Sequence, residues 1–194
     1  MKALAADRDD WLLVDQDESW FSRFAQPSMH SWAEPGNELH LVERQAKKGE
    51  LQKAIACFGA LEFVTHERYL FFAEGQPNTA TTIDFLQRLL IVAAQKAKRV
   101  LVIIWDRASW HKSGDLFTWI RQHNREAKDE DGVRLLTCLL PSKSPWLNPV
   151  EPLWLHTKRK VSSANEHLSV DELKARIRPL FDVNLNNIEC TPSA

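Results

Sequence analysis

The chain lacks several features that would define other classes of protein. No apolar run is long enough to cross a membrane, and no signal peptide opens the N-terminus. The three cysteines, Cys57, Cys138 and Cys190, have neither metal-site spacing nor an even number for pairing. There is no Gly-rich phosphate loop and no Ser-His-Asp order. We therefore predict a cytoplasmic protein without membrane contact, and its chemistry must come from other residues.

A strong charge of one sign is also missing. The 25 Lys and Arg residues nearly balance the 26 Asp and Glu residues, for a net charge of -1. A global electrostatic signal for nucleic acid is therefore absent, and any basic surface must be local. Residues 141–180 are the best candidate, because they hold seven Lys or Arg residues and four Asp or Glu residues.

The hydrophobic pattern predicts one domain of mixed α/β structure. Apolar runs predict five strands, at residues 11–14, 54–64, 69–73, 100–105 and 133–140. Between the first two lies a loop region with a short strand near residues 39–42. Helical spacing and capping residues predict helices over 79–98, after Ser113, over 149–161 and after Ser169. This order indicates a mixed sheet with helices on its faces, followed by a tail over 182–194.

Three acidic positions come from three separate elements. Asp17, with Asp15 as a rival, follows the first strand, and Asp106 follows the strand at 100–105. Glu151 lies in the first turn of the helix that opens at Pro149. Sheets of this kind place ligand sites at the carboxyl ends of their strands. Carboxylates from several elements are what a pair of divalent metal ions needs for phosphodiester chemistry.

Each acid also has a purely structural interpretation. Asp106 could start a turn or pair with Arg107, and an acid in a helical first turn is favoured by the helix dipole. Asp15 and Asp17 have the same parity on a strand and share a face, whereas Glu18 points to the other face. The residues alone therefore do not decide whether Asp15 or Asp17 is the first acid of the site.

Three sequence segments resemble one known family. They are DQDESWF (15–21), IIWDRASWHKS (103–113) and LPSKSPWLNPVEPLWLHTKRKV (140–161). Over about residues 11–162 the chain resembles the catalytic domain of mariner-like bacterial insertion-sequence transposases, also described as DDE superfamily endonucleases. The resemblance implies a ribonuclease-H-like fold with a five-stranded mixed sheet over residues 1–181. It also implies Mg²⁺ or Mn²⁺ in a two-metal site, DNA cleavage and strand transfer, and Asp17, Asp106 and Glu151 as catalytic metal ligands.

Six further residues are candidates for DNA contact. Lys158 lies seven residues after Glu151 and shares its helix face, which makes it the best single candidate. His111 is equally well explained as a partly buried residue at a helix entry, and the cations after Glu151 as a solvated helix end. The set is His111, Lys112, Asn148, Lys158, Arg159 and Lys160.

The chain departs from the family at its beginning. Members usually carry a helix-turn-helix module before the catalytic domain, and here only residues 1–10 precede the first strand. We therefore expect a catalytic domain alone, which acts as a dimer on DNA and works with a separate DNA-binding polypeptide. Two alternatives remain: an inactive transposon remnant that binds DNA or a partner transposase, and a general or junction-resolving nuclease.

Overall fold

The computed structural model describes residues 8–23, 54–142, 144–161 and 168–190. The short strand predicted near residues 39–42 lies outside these ranges. The strands are β1 (Trp11–Ser22), β2 (Ala54–Glu62), β3 (Arg68–Ala73), β4 (Val100–Trp105), β5 (Arg134–Leu139) and β6 (Val183–Asn184). The helices are α1 (Thr79–Gln95), α2 (Gly114–Asp129), α3 (Val150–Val161) and α4 (Val170–Ile177).

The strands form one mixed sheet in the order β5-β4-β1-β2-β3-β6. β1, β4 and β5 run parallel, whereas β2 is antiparallel to both β1 and β3. The predicted mixed sheet with flanking helices is confirmed, but it has six strands where the sequence predicts five.

The sixth strand comes from the segment predicted to be a tail. β6 pairs in parallel with Tyr69 and Leu70 of β3. Asn186 then exchanges two hydrogen bonds with the backbone of Phe72, at 2.8 and 3.0 Å, and Leu185 is fully buried. A two-residue strand is too short to give a hydrophobic pattern, so the sequence predicts a tail where the structure has the edge of the sheet.

β1 is much longer than its apolar run. Its twelve residues continue through the acids, because Val14 to Ser22 pair with β2. Pairing with β4 ends earlier, at Asp15 and Ile104. The two parallel strands therefore separate just where the acidic residues begin. Asp17 consequently lies within a strand rather than at its end.

Helices cover both faces of the sheet. α1 and α2 pack on the face that carries Leu12, Val14 and Trp105, whereas α3 and α4 pack on the face that carries Phe21 and Cys57. The predicted caps are confirmed, since Ser113 Oγ accepts from Leu116 N and Ser169 forms a capping box with Glu172. None of the helices described is long and apolar enough to cross a membrane.

Candidate active site

The three predicted acids line one cleft of about 500 Å³. Asp17 comes from the middle of β1, Asp106 directly follows β4, and Glu151 lies in the first turn of α3. The parallel register explains the first pair: because Asp15 aligns with Ile104, Asp17 and Asp106 stand at equivalent positions and on the same face of the sheet. Pairing of distant strands has thus brought the acids of two motifs together.

A glycine lets α3 approach this edge. Gly59 is the β2 partner of Asp17. A Cβ atom at Gly59 would lie 2.5 Å from Cζ2 and 2.8 Å from Cη2 of Trp154, closer than side chains pack. Trp154 is buried one turn after Glu151 and meets the Phe21 ring edge-on at 5.7 Å. The missing side chain at Gly59 therefore seats α3 and, with it, Glu151.

Asn148 fixes the beginning of α3 to β1. Its Nδ2 donates to the carbonyl of Gln16 at 2.9 Å, and its Oδ1 accepts from Val150 N at 3.1 Å. Only 4% of Asn148 is exposed. Asn148 lines the cleft, but both ends of its amide are engaged within the protein. Asn148 thus joins α3 to the residue that precedes Asp17, and its contact with DNA stays a prediction.

The environment of the first acid distinguishes Asp17 from Asp15. Asp15 is 1% exposed, whereas Asp17 is partly buried and lines the cleft. Burial raises the pKa of Asp17 to about 7, with further contributions from the charges of Glu18, Glu151 and Asp106. The negative charges of these three neighbours therefore oppose the ionisation of Asp17.

The buried side chain of His111 links Asp106 to Glu18, which lies on the face of β1 opposite Asp17. His111 Nδ1 lies 2.8 Å from Asp106 Oδ1, and Nε2 lies 2.9 Å from Glu18 Oε1. The imidazole stacks on Trp105, with ring centroids 4.4 Å apart. Burial would lower the pKa of His111, but its hydrogen bonds to the two carboxylates outweigh burial and raise the pKa to about 9. The hydrogen bond from His111 also lowers the pKa of Asp106.

These contacts correct the predicted role of His111. Its side chain is fully buried and both ring nitrogens are occupied, so it is not placed to contact DNA. The sequence did indicate that Glu18 points away from Asp17, which the structure confirms. The partnership of Glu18 with His111 was missed, because residues 93 positions apart give no local pattern.

The predicted cations occupy different places around the cleft. Lys112 lines it, as does Arg107, for which the sequence suggests only a pairing with Asp106. Lys158 lies further along α3, where its Nζ is 5.8 Å from the centroid of the Phe21 ring. Arg159 and Lys160 are exposed, and Lys160 is about 180° around the helix from Glu151.

The donor set suits a hard divalent cation. Carboxylate oxygens are the ligands that Mg²⁺ and Mn²⁺ prefer. Burial raises the pKa of Asp17 and the charges of Glu18, Glu151 and Asp106 add to this rise, and a bound cation would favour the ionised carboxylate. Within the described ranges, however, no group of three or more His, Cys, Asp or Glu side chains already has the geometry to hold a metal ion. The acids fit a metal site by chemistry and location rather than by a closed set of ligands.

Residues 13–174 match the family described as "DDE superfamily endonuclease". The chain belongs to this family. No curated protein sequence gives a significant match.

Two solved structures show the fold of this DDE endonuclease chain in a larger protein. The "Mos1 transposase paired-end complex with left transposon end" has 17% identity and a TM-score of 0.57, and the match covers 87% of this chain and 47% of that one. The "Mos1 Strand Transfer Complex" has 17% identity and a TM-score of 0.55, covering 87% and 46%. The chain thus spans about half the length of these transposases, and the predicted ribonuclease-H-like fold is confirmed.

Proposed function

We propose that the chain is the catalytic domain of a DDE transposase that cleaves DNA strands and joins them to a target. One observation carries this proposal: Asp17, Asp106 and Glu151, from three different elements, line a single cleft, where the charges of Asp106 and Glu151 act on Asp17. Family membership supports the nuclease chemistry, and the sequence motifs support the mariner-like, bacterial insertion-sequence origin.

Asp17, Asp106 and Glu151 would hold two Mg²⁺ or Mn²⁺ ions. When bound, such a pair supplies the positive charge that stabilises the attacking and leaving oxygens of a phosphodiester displacement. The protein's own contribution is to hold the three carboxylates at fixed positions. The β1–β4 register puts Asp17 and Asp106 each two residues beyond the last paired residues, and the packing of Trp154 on Gly59 sets Glu151.

Cations around the cleft would hold the DNA backbone. Arg107 and Lys112 line the cleft and are exposed, so they can approach the phosphate that is cut. Lys158 lies beside Phe21, four residues along β1 from Asp17, which is about 13 Å and suits a phosphate further along the strand. Such contacts position DNA without reading its sequence.

The expected partners are transposon-end and target DNA, a second copy of the chain on that DNA, and a DNA-binding module. Structurally similar proteins are described as paired-end and strand-transfer complexes, and this chain covers about half of each. We accordingly propose residues 1–181 as the ribonuclease-H-like catalytic unit, with β6 packed on its edge, and a cytoplasmic location for the protein.

Nicking of supercoiled plasmid tests the activity. Wild-type protein should nick plasmid with Mg²⁺ or Mn²⁺ and should stop when EDTA is added. Asp106→Asn and Glu151→Gln should lose this nicking while they stay folded. Glu130→Gln, an exposed acid at the end of α2, is the matched control and should nick like wild type. Full nicking by both cleft variants would refute the proposal.

A second candidate is a transposon remnant that binds DNA or a partner transposase without cutting. It predicts a wild-type chain that shifts plasmid DNA in a gel but never nicks it with either metal. Nicking restored by a DNA-binding polypeptide added in trans would rule this candidate out.

A further inference from the structure

Asp106 presents its two oxygens to different surroundings. Oδ1 accepts two hydrogen bonds, from His111 Nδ1 at 2.8 Å and from Ala108 N at 2.9 Å. The Asp106 side chain is nevertheless 54% exposed, and Asp106 lines the cleft. Because both donors that the described part of the chain supplies go to one oxygen, Oδ2 remains as the oxygen that can bind a cation.

Contacts with Glu18 and Trp105 hold the His111 ring, which carries the Nδ1 donor. Glu18 Oε1 accepts from His111 Nε2 at 2.9 Å and from Trp110 Nε1 at 3.2 Å. The stacking of the imidazole on Trp105, nearly parallel at 7°, fixes the plane of the ring. A hydrogen-bonded chain thus runs from Glu18, on one face of β1, through His111 to Asp106, on the other side of the sheet edge.

Stability alone is a weak reason for this arrangement. A buried ion pair is often no more stable than well-packed apolar residues of the same volume. Histidine between a carboxylate and a functional group does, however, fix the orientation of what it bonds. We infer that His111, held by Glu18, is a positioning residue that fixes the Asp106 carboxylate so that Oδ2 serves as a single-oxygen ligand. This inference rests on the proposed metal-dependent function.

A matched pair of variants separates positioning from packing. Both carry Glu18→Gln, so that no buried carboxylate is left without a cation. His111→Asn keeps a donor near the position of Nδ1, whereas His111→Phe keeps the ring volume and the stack on Trp105 but has no donor. A positioning role predicts that the Asn variant works better, and a packing role predicts the reverse.

Mn²⁺ affinity, measured by electron paramagnetic resonance of free Mn²⁺, is the main readout. We expect the variant with Phe to bind Mn²⁺ roughly 10- to 100-fold more weakly than wild type, and the variant with Asn to lose much less. Urea unfolding of the same proteins reports packing separately. Equal affinities in the two variants, or tighter binding by the Phe variant, would overturn the inference.

Failure of the proposed function would look different. In that case wild-type protein itself would bind no Mn²⁺. Crystal structures of the metal-free wild type and of His111→Phe/Glu18→Gln would then decide the inference on its own. We expect the Asp106 carboxylate to rotate in the variant, and an unchanged orientation would contradict a positioning role.

Discussion

Replacement of Gly59 by alanine tests how the site is assembled. The new Cβ would lie 2.5 Å from Trp154 Cζ2, whereas ordinary contacts begin at 3.4 Å, so the indole must retreat by about 1 Å. Glu151 lies one turn earlier on the same helix and should move with it. Overpacking costs about 1–3 kcal/mol, which the removal of a strand glycine offsets by about 0.5–1 kcal/mol.

The expected result is a small loss of stability and a large loss of activity. A displacement of 1 Å at a catalytic group can lower a rate by about 100-fold. Plasmid nicking measures the rate, and urea unfolding measures the stability. Trp154→Phe removes the two clashing atoms, and the indole Nε1 has no hydrogen-bond partner to lose among the residues that the structure describes, so the double variant should recover nicking. Wild-type nicking by Gly59→Ala, or no recovery in the double variant, would refute the reasoning.

Three further predictions concern charge and exposure. The pKa of Asp17 is about 7 in the folded chain against an ordinary 3.8, so the stability linked to this group is greatest below about pH 4 and is lost as the pH rises through 7. Asp17→Asn should therefore stabilise the metal-free protein more at pH 8 than at pH 5, as urea unfolding at both values would show. Trp146 is 76% exposed, so Trp146→Ala should change the free energy of unfolding by no more than about 0.5 kcal/mol; a larger loss would mean that the indole is packed. Lys112→Gln should weaken plasmid binding and reduce its salt dependence, whereas Lys160→Gln should do so less, and equal effects in a filter-binding titration would contradict the proposed path of the DNA.

The parts of the site that could be predicted depend on local signals. Asp106 follows a continuous apolar run, and Glu151 follows Asn148 and Pro149 at a helix start, so each element marks its own acid. The mixed sheet was predictable for the same reason, because each of its five longer strands carries an apolar run.

The parts that were missed depend on pairing between distant residues. β1 continues through Asp17 only because β2 pairs with it, and polar residues hide that continuation. The burial of His111 depends on Glu18, which is 93 residues away. The position of α3 against the sheet depends on Gly59 in β2. β6 is a strand only because β3 offers an edge. Composition and spacing carry none of this information.

The central claim is that three acids from three elements form one metal site. A titration with Mn²⁺, followed by electron paramagnetic resonance, tests it most directly in wild type, Asp17→Asn, Asp106→Asn and Glu151→Gln, with Glu130→Gln as control. We predict about two Mn²⁺ per chain in wild type and control, and weaker or fewer bound ions in each of the other three. Undiminished binding in those three variants would contradict the account.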